Sequence, residues 1–275
     1  MLPSYLLSLR EGLEAALIVG IVLGALRQMR KPDLVFAVWS GVLVASIVSI
    51  VSAISLTALG LSLHDPAEAI FEGITMLLAT AVLTWMIFWM SRQSRHLKGN
   101  LEAGVRHAAL SAGRRGLFML AFLAVVREGI ELALFLTAAT FASDAVQTIT
   151  GTALGLFSSI LLGWSLFASS VKLDLRRFFQ VTGILLIMFA AGLIARAVSE
   201  FVLVGWLPAL IEHVWDLNPF LNEESAFGQI LSALFGYNGS PSLIAVIVYL
   251  AYFLTIGFGL QLAQSKESRP VQIQS

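Results

Sequence analysis

An arginine and two glutamates fall within five residues of an apolar run, Arg10-Glu11-Gly12-Leu13-Glu14. The pattern returns 117 residues later as Arg127-Glu128-Gly129-Ile130-Glu131. No other feature constrains the fold as strongly. Both copies sit in runs long enough for a helix to cross about 30 Å of hydrocarbon. A charge at the centre of such a helix costs roughly 2.5–3.5 kcal/mol, and six of them, left unpaired, would oppose insertion by about 15–20 kcal/mol on that scale. Intramembrane charges normally face a bundle interior or a water-filled path and find partners there. The two runs are therefore expected to be inner helices, with the rest of the chain arranged around them.

Composition supports the membrane reading. The 275 residues are 58% hydrophobic and 12% charged, against about 25% charged in a soluble domain. The absence of cysteine removes disulfides and thiolate metal sites. A formal net charge of zero singles out no partner beyond the lipid bilayer, and no nucleic acid is expected. The first nine residues hold no Lys or Arg, and the first apolar run already contains the motif, so no signal peptide is expected.

Seven spans are predicted, at about 2–26, 34–61, 69–90, 116–141, 146–170, 178–204 and 241–263. Basic residues mark alternate connections. Arg27, Arg30 and Lys31 follow span one. Arg92, Arg95, Lys98, Arg106, Arg114 and Arg115 follow span three. Lys172, Arg176 and Arg177 follow span five, and Lys266 and Arg269 lie in the tail. The other connections, 62–68, 142–145 and 205–240, hold no Lys or Arg but do hold Asp65, Glu68, Asp144, Glu212, Asp216, Glu223 and Glu224. The positive-inside rule then places the N-terminus outside and the C-terminus in the cytoplasm.

The expected fold is an all-α integral membrane protein of seven transmembrane helices, a single domain over 1–264 with a short cytoplasmic tail at 265–275. The loop at 91–115 reads as a solvated, partly helical basic connector. The outer segment 205–240 is long, and long loops are often functional. Each motif opens a block of three spans, about 2–90 and 116–204. Because three is odd, the second block enters from the opposite side. This is an inverted 3+3 repeat plus a final helix, a plan whose binding sites tend to lie near the midplane between repeats. Beyond the motifs the internal similarity is weak, with Phe71-Glu72-Gly73-Ile74 and Phe179-Gln180-Val181-Thr182 as distant echoes.

Helical geometry gathers each motif on one face. At about 100° per residue, Glu14 lies between Arg10 and Glu11, within reach of both. Glu131 has the same relation to Arg127 and Glu128. The opposite face of helix one carries Gly12, Ala16, Gly20 and Gly24, and helix four carries Gly129, Ala133 and Thr137. Small residues at this spacing allow close helix approach. Glu11 is roughly 13 Å from the outer end of its span and Glu131 roughly 15 Å from the outer end of its own, so the two motifs can face one another. Four carboxylates and two guanidinium groups leave a formal charge of −2. Carboxylates are hard donors suited to hard multivalent cations. The expected ligands are Glu11, Glu14, Glu128 and Glu131, with Arg10 and Arg127 balancing charge. The alternative is that the same groups form two structural Arg–Glu pairs.

At these residues the sequence resembles the oxidase-dependent iron permease family, which includes fungal high-affinity iron permeases and bacterial EfeU-type permeases. The family mark is Arg-Glu-x-x-Glu in the first and fourth transmembrane helices. Phe71-Glu72-Gly73, His213-Val214-Trp215-Asp216 and Gly236-Tyr237-Asn238 add weaker likeness. The resemblance implies iron as the transported substrate, with the motif glutamates handling it and with no permanently bound cofactor. It also implies location in a bacterial inner membrane, often with an extracytoplasmic iron-oxidising or iron-delivering protein outside. From the residues alone the reading stops at a multivalent cation.

Secondary candidates on the outer side are Glu68, Glu72, Glu212, His213 and Asp216, each weighed against an ordinary polar surface. Arg196 and Glu200 are spaced to pair, and Trp85 and Trp89 sit where interfacial Trp is expected. His64, His96 and His107 fall away from the motif depth. Three rivals remain: a proton-driven transporter of another divalent metal such as manganese, a sensor that binds without transport, and a membrane di-iron oxidoreductase. Di-iron bundles use Glu-x-x-His twice, and the sequence has no such motif. A transporter, not an enzyme, is expected.

Overall fold

The computed structural model describes residues 1–93, 97–168, 175–223 and 225–267. Arg95, His96, Lys172, Glu224 and Arg269, named above, lie outside the described residues. Those described form nine α-helices and no strand: α1 Leu2–Gln28, α2 Val35–Ser62, α3 Ala67–Gln93, α4 Leu97–Ser111, α5 Gly113–Ala142, α6 Ala145–Ala168, α7 Leu175–Leu203, α8 Ala226–Phe235 and α9 Leu243–Glu267.

The predicted spans fall on the seven long helices, which run from 24 residues in α6 to 30 in α5. About 20 residues cross a bilayer core. Four stretches are apolar enough to cross on composition alone: Pro32–Ser62, Ala67–Trp89, Ala145–Leu166 and Arg177–Leu203. Helices α1 and α5 are equally long but each carries three ionisable motif side chains. Apolar side chains point outward over wide faces, such as Phe36 and Ile54 on α2 and Ile160 and Trp164 on α6. A helix hydrophobic on its outer face as well is at home in lipid.

The helices pair across the two halves of the chain. Helix α1 packs most extensively on α6, and α2 on α5, while α3 meets α7 and α1 meets α5. First helix on second, second on first, third on third: this is an exchange. The contacts repeat it residue by residue. A Cβ at Gly41 of α2 would press on Phe118 O and Phe122 N of α5. A Cβ at Gly151 of α6 would press on Met1 O and Tyr5 N of α1. Phe118 and Phe122 are the motif-aligned counterparts of Met1 and Tyr5. Likewise Gly12 admits Ser159, and Gly129 admits Ser49. The small-residue faces thus pack as expected at Gly12 and Gly129, and Ala16 sits where a Cβ at Gly163 would touch it. Gly24 has open space beside it.

Two connections differ from their sequence reading. The basic connector contains α4, which docks through Val105 and Ala109 into an apolar cluster with Val22, Leu26, Val38 and Leu117. It is amphipathic, and its apolar face is buried. In the outer segment, α8 packs against α7 and α1. Ser225 caps its start, accepting a hydrogen bond from Gly228 N at 3.0 Å, and Gly236 ends it in the left-handed conformation at φ 66. There the backbone of Gly236 lies directly on Gly192 of α7, with no room for a side chain on either. Gly192 is eleven residues from the end of α7, about 16 Å along the helix. The segment therefore folds back into the bundle. Its short periodicity was hidden among Pro208, Pro219 and polar residues.

Candidate metal centre

Helices α1 and α5 carry the motifs between two apolar clusters. One cluster holds Leu7 of α1 and Phe135 and Ala138 of α5. The other holds Val22 and Leu26 of α1 and Leu117 and Ala121 of α5. Each helix passes from one cluster to the other, and the charged turn lies between. Packing on both sides buries Arg10, Glu11 and Glu128.

Carboxylate oxygens of Glu11, Glu128 and Glu131 all lie within 4.8 Å of one another. Glu14 pairs with the Arg10 guanidinium, with Arg10 Nε 3.4 Å from its Oε1. In the second copy Arg127 Nε donates to Glu131 Oε1 at 2.9 Å and lies 3.9 Å from Glu128 Oε1. The i,i+4 pairing read from the sequence is present in both helices. The copies differ in burial: the Arg10 side chain is 1% exposed, whereas Arg127 is 46% exposed. The Arg127 guanidinium lies over the Trp89 ring at 4.8 Å from its centroid.

Several buried oxygens have no hydrogen-bond partner in the protein among the described residues. They include both carboxylate oxygens of Glu11, with Glu128 Oε2 and Glu131 Oε2. Buried charges without partners are costly, and buried ionic groups normally satisfy their remaining lone pairs. Three acidic side chains converging with spare lone pairs could hold a hard cation.

The outer candidates lie elsewhere. Glu68 is in the first turn of α3, with Glu72 one turn on. Glu212, His213 and Asp216 are exposed. His213 Nδ1 is 3.4 Å from Ser240 O, and Asp216 Oδ1 accepts from Asn218 N at 3.0 Å. Among the described residues, none of these five joins the carboxylate group of the motifs. Arg196 donates to Ser232 Oγ of α8, with Glu223 and Glu200 as its acidic neighbours. That bond exists because α8 folds inward, which spacing within one helix could not reveal. Trp89 is the site neighbour that sequence reasoning missed. Its position near a helix end suited an interfacial role equally well.

The whole pattern has relatives. The iron permease FTR1 family matches residues 1–264. The chain is 34% identical over 256 residues to the ferrous iron permease EfeU of Escherichia coli O6:K15:H31, covering 92% of this chain and 93% of that protein. The Shigella sonnei EfeU shows the same identity and coverage. The Yersinia pestis EfeU is 34% identical over 92% of this chain and 91% of its own length. No solved structure matches. With both motif copies inside the matched region and the likeness running nearly end to end, the chain belongs to the iron permease FTR1 family.

Proposed function

We propose that this protein imports iron across the bacterial inner membrane through one carboxylate site shared by the two motifs. Membership of a permease family makes it a multi-pass membrane transporter of iron rather than an enzyme. The finer reading is that Glu11, Glu128 and Glu131 take the ion, with Glu14 as a fourth carboxylate. Arg10 and Arg127 offset the charge between passages. The observation that carries this reading is the convergence of three carboxylates from both motif copies, with spare buried oxygens. Iron is the cargo, and an extracytoplasmic iron-oxidising or iron-delivering protein is its proposed source.

Seven crossings with the N-terminus outside make the two halves inverted copies. The exchanged pairing of α1 with α6 and α2 with α5 supports that plan. So does the matched close approach at Gly41 and Gly151. Inverted repeats support alternating access by rocking about a fixed central site.

Radioactive iron uptake in proteoliposomes tests the function. Ferrous and ferric iron are supplied separately, with and without a pH gradient, and manganese is the competitor. Saturable iron uptake lost in Glu11→Gln supports the reading. Equal uptake by that variant, or preference for manganese, contradicts it. Orientation is tested by single cysteines, made simple by a cysteine-free chain. Asp65→Cys and Asp144→Cys should react with an impermeant thiol reagent from outside, and Lys98→Cys should not.

A further inference from the structure

Two serines on α1 are buried with nothing to bond. Ser4 is 1% exposed and Ser8 is 0% exposed, and neither hydroxyl has a hydrogen-bond partner in the protein among the described residues. This is unusual for the molecule. Ser46, Ser49 and Ser199 each donate to the carbonyl four residues earlier. Native structures rarely leave buried polar groups unsatisfied, and each exception needs an explanation.

Their placement supplies one. Ser4, Ser8 and Glu11 follow at i, i+4 and i+7, one side of a helix over two turns. The stripe runs from the first turn of α1 to the Glu11 carboxylate, whose oxygens are also without partners. The second motif lacks this stripe. Adding 117 to each position gives Ala121, Val125 and Glu128, and Ala121 and Val125 are buried too. The first motif is preceded on its helix face by two hydroxyls, the second by two hydrocarbon side chains.

We propose that Ser4 and Ser8 line the outer access path to the carboxylate site. Their hydroxyl oxygens take over part of the hydration shell of an incoming multivalent cation before Glu11 receives it. Hydroxyls suit this step because they are hard oxygen donors of low charge, which bind a cation without trapping it. The inference rests on the proposed site and orientation. Packing alone requires only a small residue at Ser8, where a Cβ added to Gly155 would come 2.8 Å from the Ser8 Cβ. Alanine would serve that purpose equally well.

The test uses full-length protein in right-side-out vesicles. Ser4→Cys and Ser8→Cys are exposed to a small, cationic, impermeant methanethiosulfonate, with Asp65→Cys as the orientation control and Val125→Cys as the hydrocarbon control. Modification of either serine variant from outside, slowed by iron and absent from Val125→Cys, is expected. Ser8→Ala should raise the iron concentration for half-maximal uptake about tenfold, at unchanged abundance and maximal rate, as loss of one neutral oxygen donor to the cation would. If Ser4→Cys and Ser8→Cys transport iron yet resist the reagent, the path lies elsewhere and the proposal is overturned. Unchanged uptake by Ser8→Ala overturns the role of the hydroxyl. Failure of Asp65→Cys to label would instead strike the orientation, separating the two readings.

Discussion

The two motif copies have the same five-residue pattern and different surroundings. Around the first, Arg10 is sealed, Glu11 is buried, and serines lie one and two turns before it. Around the second, Arg127 is nearly half exposed and braced by Trp89, while Ala121 and Val125 fill the preceding turns. A duplicated motif thus gives two copies alike in their charged groups and unlike in their surroundings. Charged groups on both helices would let one ion be held by both halves, and unlike surroundings are what a carrier needs if its two faces are to differ.

The strongest way to break this comparison is to remove a carboxylate from each copy in turn. Glu11→Gln and Glu128→Gln keep shape and lose charge. Each should abolish uptake in proteoliposomes while the protein remains in the membrane. Loss in only one of them would mean that the halves are not partners.

The next effect separates the arginines. Arg10→Met strands Glu14 in a sealed site, where breaking a buried pair costs about 3–5 kcal/mol, so abundance in the membrane should fall sharply. Arg127→Met acts at a pair whose arginine is 46% exposed and whose Glu131 is 16% exposed, so its abundance should fall less. Combining Arg10→Met with Glu14→Gln should recover abundance and leave uptake lost. Recovery of uptake as well would return these residues to the role of structural glue.

A smaller effect sharpens the symmetry of the scaffold. Gly41→Val and Gly151→Val place a side chain against backbone at equivalent positions. Overpacking typically costs about 1–3 kcal/mol, so thermal stability in detergent should fall by similar amounts in both. A large difference between them would show that the halves pack independently. The smallest effect belongs to Trp89→Leu. It removes a cation–π contact worth about 0.5–1 kcal/mol at exposed sites, and a modest loss of uptake with normal abundance is expected.

The duplicated motif was legible because charge inside hydrocarbon is so costly that its position alone constrains the fold. Helix spacing gave the pairs Arg10–Glu14 and Arg127–Glu131, which are local. A likeness between α2 and α6 was present too, but in small residues: Gly41, Ala45 and Ser49 match Gly151, Gly155 and Ser159. Their likeness is of size rather than side-chain type, so it is lost among the other small residues of membrane helices. The burial of α8 and the bond from Arg196 to Ser232 were not legible, because both depend on a distant segment turning inward. Nor was the stacking of Arg127 on Trp89, which joins residues on different helices. Glu14 follows the same spacing rule, with its Oε1 3.4 Å from Arg10 Nε.

The central claim is one ion shared by two motifs, and equilibrium iron binding to purified protein tests it directly. Wild type, Glu11→Gln, Glu128→Gln and the double variant are titrated with radioactive iron, and stoichiometry and affinity are read together. One ion per protein is expected at this site. Each single variant should lose nearly as much as the double, since residues acting on one ion are not additive. Two ions per protein, with each single variant losing one and the double losing both, would contradict it.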